Sequence, residues 1–236
     1  MEPIKKGMNV VIEENVKFGV NVVIGHNVVI YEGTVIGDNV VIQDNVIIGK
    51  QPTRAKASIL PEVEKLPPAI VGSGVTIGTS AIIYANSQIG NDVFIADLAT
   101  IRERVKVGDK TIIGRGVAIE NDCEVGSNCK LETNCYITAY SKIEDFVFIA
   151  PCVVTTNDNY LARSKERFGK FKGVTVKKGG RIGANATILP GKIIEEEGAV
   201  AAASVVTKNV PKEQLVLGSP AKPFRKVPDD QLLKNQ

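Results

Sequence analysis

Between Val71 and Ile149 an aliphatic residue returns at every sixth position without a break: Val71, Ile77, Ile83, Ile89, Ile95, Ile101, Val107, Ile113, Ile119, Val125, Leu131, Ile137, Ile143 and Ile149. A helix repeats every 3.6 residues or so and a lone strand every two, so a period of six fits neither. It fits a solenoid with three short strands per coil, about 18 residues a turn. The position after each aliphatic is often small (Gly72, Gly78, Gly90, Ala96, Gly108, Gly114). The fourth place of the hexad favours Asn, Asp or Gly (Gly74, Asn86, Asp92, Asn128, Asn134). Those residues tolerate the positive φ that a tight corner demands. The pattern therefore specifies an all-β triangular prism, filled with aliphatics and turning a corner every six residues.

The same repeat runs through Ile12, Phe18, Ile24, Ile30, Ile36, Ile42 and Ile48, and resumes at Val176, Ile182, Ile188, Ile194, Val200 and Val206. Two segments interrupt it. Residues 50–69 carry four prolines and mixed charge, and residues 157–173 form a basic stretch that begins Asn157-Asp158-Asn159-Tyr160. Prolines in such a run mark an excursion, not a strand. The expected organisation is a β-helix domain over 1–210 with about nine coils, loops at 50–69 and 157–173, and a tail over 211–236 with a short helix from Pro228.

Composition narrows the function. A net charge of +3 is too small to argue for nucleic acid. Met1 to Val10 lacks an apolar signal-peptide core, and no run reaches membrane-spanning length. Cys123, Cys129 and Cys135 stand six apart at inward small positions and lack zinc-motif spacing. They read as buried free thiols, which suits a reducing cytoplasm. No metal is expected.

A period of 18 separates three faces. The residue before each inward aliphatic is polar on one face (Gln88, Lys106, Glu124, Lys142). It is largely apolar on the other two, which carry Ile82, Thr100, Ala118, Tyr136, Val154 and Thr76, Phe94, Ile112, Lys130, Phe148. Two adjacent apolar faces imply a partner surface and suit a closed ring, most simply a homotrimer. The corner between them carries Thr79, Asp97, Arg115, Thr133 and Pro151.

One edge breaks the small-residue rule in every coil of this run: Tyr84, Arg102, Glu120, Thr138, Thr156. The second excursion leaves from the same edge. This ladder is the candidate site, a groove between subunits with the 157–173 loop as its lid; a solvated edge whose charges serve solubility is the other reading. Arg102, Glu103, Glu120, Asn121 and Tyr140 are the candidate substrate ligands, with Arg102 suited to a diphosphate. Glu120 is equally placed to pair with Arg102 one coil away.

The hexad pattern resembles the left-handed parallel β-helix of hexapeptide-repeat acyltransferases, and the handedness is an implication of that resemblance. The tail Gly218-Ser219-Pro220-Ala221-Lys222 looks like the ending of acetyl-CoA-dependent members. The runs DLATIRERVKVG, LETNCYITAYSKIED, APCVVTTNDNY and ERFGKFKGVTVKKGGRIGANATILPG resemble N-acetyltransferases of nucleotide-linked amino sugars, above all those acting on dTDP-3-amino-3,6-dideoxyhexoses. The resemblance implies a cytoplasmic trimer that binds acetyl-CoA and a sugar nucleotide between subunits and serves surface glycan synthesis. It also implies that Asn157 and Asp158 sit near the sugar amine. In that family the departing CoA sulfur has been proposed as the final proton acceptor. Small Ala184 and Ala202 would let a pantetheine arm approach the backbone, and Lys208, Lys222 and Arg225 would meet CoA phosphates or serve as ordinary surface cations.

Many hexapeptide acyltransferases use a His base. The single His here, His26, lies many coils from the ladder. That disfavours a hydroxyl acceptor, which must be deprotonated, and leaves an amine, which attacks once neutral. Asp158 would orient the amine or take its proton, and Asn157 would hold it. The rival readings are a UDP-linked 3- or 4-amino sugar acceptor, a longer acyl chain, and a non-catalytic β-helix scaffold.

Overall fold

A computed structural model describes residues 5–56 and 64–236. Residues 1–4 of the expected β-helix domain and 57–63 of the first excursion lie outside the described residues. The inward aliphatics sit in short strands, most of two residues, such as Phe94–Ile95, Thr100–Ile101 and Lys106–Val107. Successive strands fall on three different sheets. Each strand pairs in parallel with the one a coil later, Phe94 with Ile112 and Ile95 with Ile113. The result is a three-sided parallel β-helix with a Phe94 face, a Tyr136 face and a polar face.

The solenoid has about eleven turns, not nine. The Phe94 face has a 12-stranded sheet in which all but the last strand run parallel. Ten steps of about 4.8 Å give a prism roughly 48 Å long. The repeat starts one strand early, at Lys5–Lys6, where no aliphatic marks it. It also runs on past residue 210. Ile194 bridges Val210 and Val200 pairs with Val216, a spacing of 16 that the period of six conceals. The strand Gln214–Gly218 then folds back antiparallel on Ala221–Lys226. In place of one short helix after Pro228 come two single 3-10 turns, Asp229–Gln231 and Leu233–Asn235. So short a run cannot nucleate an α-helix. Leu232 is buried there with Ala199 and Val227.

The corners explain the Asn, Asp and Gly preference. Asn86, Asp92, Asn128, Asn134 and Gly74 have φ of 57°, 55°, 57°, 58° and 71°. Register imposes the same conformation on residues that resist it, including Leu98, Arg104, Tyr140 and Phe146, at about 1–2 kcal/mol each. Corner N–H groups find side-chain acceptors one coil on, as when Asn91 N–H donates to Asp109 Oδ1 and Ser127 N–H to Asp145 Oδ1, both at 2.7 Å. The small residue after each aliphatic has a steric cause: a Cβ on Gly78 would stand 2.6 Å from the Ala96 carbonyl carbon of the next coil.

Inside, aliphatics stack on aliphatics, and the polar interlopers are satisfied. Ser87 Oγ donates to the Arg102 carbonyl at 2.9 Å and Thr111 Oγ1 to the Gly126 carbonyl at 2.8 Å. Cys123, Cys129 and Cys135 are buried free thiols, whereas Cys152 is exposed. Burial pushes the three thiols up to about 12, 11 and 12 respectively. On the outside, Phe94, Ile112 and Phe148 on one face and Tyr136 and Val154 on the next remain exposed.

Both excursions leave from one corner, where the Tyr136 face meets the polar face. The first joins Ile47–Lys50 to Ile70–Val71 and the second joins Val154–Thr155 to Thr175–Val176. Among the described residues, no helix is long and apolar enough to cross a membrane.

Two outcomes test this account. Asn128→Ala should lower stability in urea by about 1 kcal/mol, and Asn128→Gly should be close to neutral, because only the alanine is strained at φ 57°. In native protein at pH 8, iodoacetamide followed by mass spectrometry should leave Cys123, Cys129 and Cys135 unmodified until urea unfolds the chain.

Candidate active site

The edge from which both loops leave carries the ladder. Its upper part is a stack of charge and ring. The Tyr84 ring holds Lys50 Nζ at 5.4 Å and the Arg102 guanidinium at 4.8 Å from its centroid. Arg102 also grips Glu103 with two bonds, Nε to Oε2 at 2.9 Å and a terminal nitrogen to Oε1 at 3.2 Å. Its remaining terminal nitrogen stands 3.5 Å from Glu120 Oε2. Glu103 is only 3% exposed. Arg102 is thus held by two carboxylates, and its charge is met within the chain.

A second forked pair lies beside it. Arg104 reaches Asp122 at 2.6 and 2.8 Å, and Asn121 Nδ2 donates to Asp122 Oδ2 at 2.6 Å. The hydrogen bond from Arg104, opposed in part by burial, holds the Asp122 carboxyl below its ordinary value. Asn121 and Glu103 therefore face neighbours within the ladder.

Lower down, the second excursion seats itself on the edge. Lys172 N–H donates to the Asn157 carbonyl at 3.1 Å, which closes the base of the loop. Val174 N–H donates to Ser141 Oγ at 3.2 Å, and Ser141 Oγ donates to the Thr138 carbonyl at 2.7 Å. Gly173 is required at the return, since a Cβ there would collide with the Tyr140 backbone. Tyr140 itself is half exposed beside the returning chain. Asp158 turns inward to its own loop: Oδ1 accepts from Tyr160 N–H at 2.8 Å, and Oδ2 from Ala162 N–H at 3.0 Å and from Arg167 at 3.3 Å. The Tyr160 N–H bond lowers the Asp158 carboxyl from its ordinary value, further helped by Ala162 and Arg167.

The structure thus brings Arg102, Glu103, Glu120 and Asn121 together on one edge, with Tyr140, Asn157 and Asp158 on the same edge one to two coils further on. It spreads the other candidates out. Ala184 and Ala202 stack on the opposite edge of the Tyr136 face, where Ala203 N–H donates to the Ala184 carbonyl at 2.8 Å. Lys208 lies in the turn after Val205–Val206, on the ladder edge, and Lys222 and Arg225 lie in the exposed strand Ala221–Lys226. Within one chain these five do not form a single cluster. His26 is fixed in a corner at the far end of the prism: its ring Nδ1 accepts from Met8 N–H at 2.9 Å and its backbone N–H donates to Asp44 Oδ1 at 2.6 Å.

Sequence reasoning missed Lys50 and Arg167. Lys50 follows Gly49 at the mouth of the first excursion, where the small-residue rule gives no signal. Arg167 was one cation among several in a basic run. Among the described residues, no group of three or more His, Cys, Asp or Glu is arranged to hold a metal.

The bacterial transferase hexapeptide model (six repeats) matches residues 20–50, 86–121 and 104–139. Those residues carry the hexapeptide repeat that the model describes. Two curated relatives align over short stretches of the chain. A dTDP-3-amino-3,6-dideoxy-alpha-D-galactopyranose 3-N-acetyltransferase of Aneurinibacillus thermoaerophilus is 47% identical over 57 residues, 24% of this chain and 28% of that one. A Schizosaccharomyces pombe protein assigned by name as an acetyltransferase is 45% identical over 49 residues, 21% of this chain and 24% of that one. The chain therefore aligns with about a quarter of the length of each. Among solved structures, the UDP-N-acetylglucosamine acyltransferase of Francisella novicida superposes with a TM-score of 0.54 at 18% identity, covering 92% of this chain and 68% of that one. The UDP-N-acetylglucosamine O-acyltransferase of Moraxella catarrhalis does so at 0.51 and 15%, covering 93% and 73%. These two likenesses establish the fold alone.

The Arg104–Asp122 pair gives a pH test. A carboxyl depressed in the folded state stabilises above its unfolded value, near 3.8, and that contribution is lost as pH falls through the folded value. Asp122→Asn should therefore cost about 1 kcal/mol at pH 7 in urea titrations. The gap from wild type should close as the pH falls below about 4.

Proposed function

We propose that this protein is an acetyl-CoA-dependent N-acetyltransferase acting on a nucleotide-linked amino sugar, specifically the 3-amino group of a dTDP-linked 3-amino-3,6-dideoxyhexose. The observation that carries the reading is the alignment with the Aneurinibacillus dTDP-amino-sugar 3-N-acetyltransferase, on a chain whose ladder edge ends at Asn157 and Asp158. The acting form is a trimer joined through the Phe94 and Tyr136 faces, whose exposed aromatics and aliphatics need cover. The groove along the ladder then lies between two subunits, with the second excursion over it.

The chemistry follows from what the edge holds. The neutral sugar amine attacks the thioester carbonyl carbon; the new C–N bond forms as the C–S bond breaks. The proton shed by nitrogen passes to the departing CoA sulfur, giving the amide and free CoA thiol. No strong base is needed for such an acceptor. His26 is far away, and both oxygens of Asp158 are engaged by its own loop. Orientation is what remains for the protein to supply, through Asn157 and the loop. Because Arg102 is held by Glu103 and Glu120, its part is to fix the ladder's shape, while Tyr140 and the exposed side of Glu120 face the acceptor. Ala184 and Ala202 of a neighbouring subunit would line the acetyl-CoA arm, with Lys208, Lys222 and Arg225 toward its phosphates.

Release of CoA thiol from acetyl-CoA, measured with dTDP- and UDP-linked 3-amino sugars in parallel, decides the matter. Strong release with the dTDP sugar is expected. Release with the UDP sugar alone moves the nucleotide, release with a 4-amino sugar or a longer acyl-CoA moves the acceptor or donor, and no acetyl-CoA binding by calorimetry leaves a β-helix scaffold.

A further inference from the structure

Three of the four residues from Leu161 to Ser164 hold left-handed backbone without being glycine: Leu161, Ala162 and Ser164, with φ of 49°, 63° and 66°. Each such residue disfavours its conformation by about 1–2 kcal/mol. The turn therefore needs interactions that define it, and they converge on one carboxylate. Asp158 binds Tyr160 N–H through one oxygen, and Ala162 N–H together with Arg167 through the other. Arg167 is in turn shielded, with its side chain 17% exposed. Its guanidinium lies 5.4 Å from the Phe168 ring centroid and 5.7 Å from that of Phe171. The backbone bond from Lys172 to Asn157 ties the loop's return to the residue that precedes Asp158.

The geometry points to Arg167 as a positioning residue: with Asp158 it forms an internal clasp that shapes the 158–171 loop over the ladder edge and thereby sets acceptor binding, so that Asp158 acts through the loop instead of on the amine's proton. The kinetic part of this rests on the acetyl-transfer reading above; the loop part does not. A carboxylate with both oxygens engaged by its own loop is poorly placed to accept a further proton. Losing either partner of the clasp releases the same turn, so the two residues should behave as one unit.

The test uses full-length protein carrying Asp158→Asn, Arg167→Gln, Arg167→Lys and the double change Asp158→Asn with Arg167→Gln. The first readout is limited trypsin cleavage after Arg163 and Lys165, followed by fragment mass. Asp158→Asn and Arg167→Gln should each speed cleavage by about tenfold, the double variant no more than either, and Arg167→Lys should restore slow cleavage. The second readout is thiol release: both single variants should raise the acceptor KM by about tenfold and keep kcat within about threefold, again without multiplying in the double variant. Unchanged loop cleavage overturns the clasp. So does a collapse of kcat at saturating acceptor in Asp158→Asn alone, which would make Asp158 the base. Effects that multiply in the double variant overturn it as well. If wild type releases no thiol with any amino sugar, the functional reading and the acceptor role both fall, and the cleavage series alone decides whether the clasp shapes the loop.

Discussion

Everything in this molecule depends on the backbone of each coil bonding to the coils before and after it at a fixed offset of 18 residues, as between Phe94 and Ile112. That register places Ile on Ile through the core and leaves no room for a side chain where Gly78 and Gly126 pass the next coil. It also obliges one corner residue per hexad to take a left-handed conformation. Asn and Gly accept this at low cost, whereas Leu98 and Tyr140 hold it because the strands on both sides leave no alternative. Among the described residues, the offset is broken only where chain is inserted or trimmed: at the two excursions, and near Val210 where the spacing drops to 16.

Those breaks are not scattered. Both excursions leave from the corner where the Tyr136 face meets the polar face, and the same edge carries residues too large for the usual glycine. Repetition gives a regular prism, and its chain insertions and most of the large residues at the small position between Tyr84 and Thr156 gather along that line. Along that line charges are largely matched internally, Arg102 with Glu103 and Glu120, Arg104 with Asp122, and Asp158 with Arg167. That internal matching is the physical ground on which we propose an amine acceptor over an alcohol, which would need a base to take its proton.

The sequence by itself determined the fold class, the inward residues, the corners, the two apolar faces and the edge where the small-residue rule fails. A period of six is a local property, written in nearest neighbours along the chain. It could not reveal the first coil, where Lys6 takes an aliphatic's place, or the last, where two residues are missing from the spacing. The tertiary structure alone decided which groups face which. Arg102 spends its charge on an adjacent carboxylate and another 18 residues away, Lys50 meets Tyr84 across an excursion, and Asp158 folds back on Arg167 nine residues on. Such pairings depend on rotamers and on distances across coils, and periodicity carries no information about either.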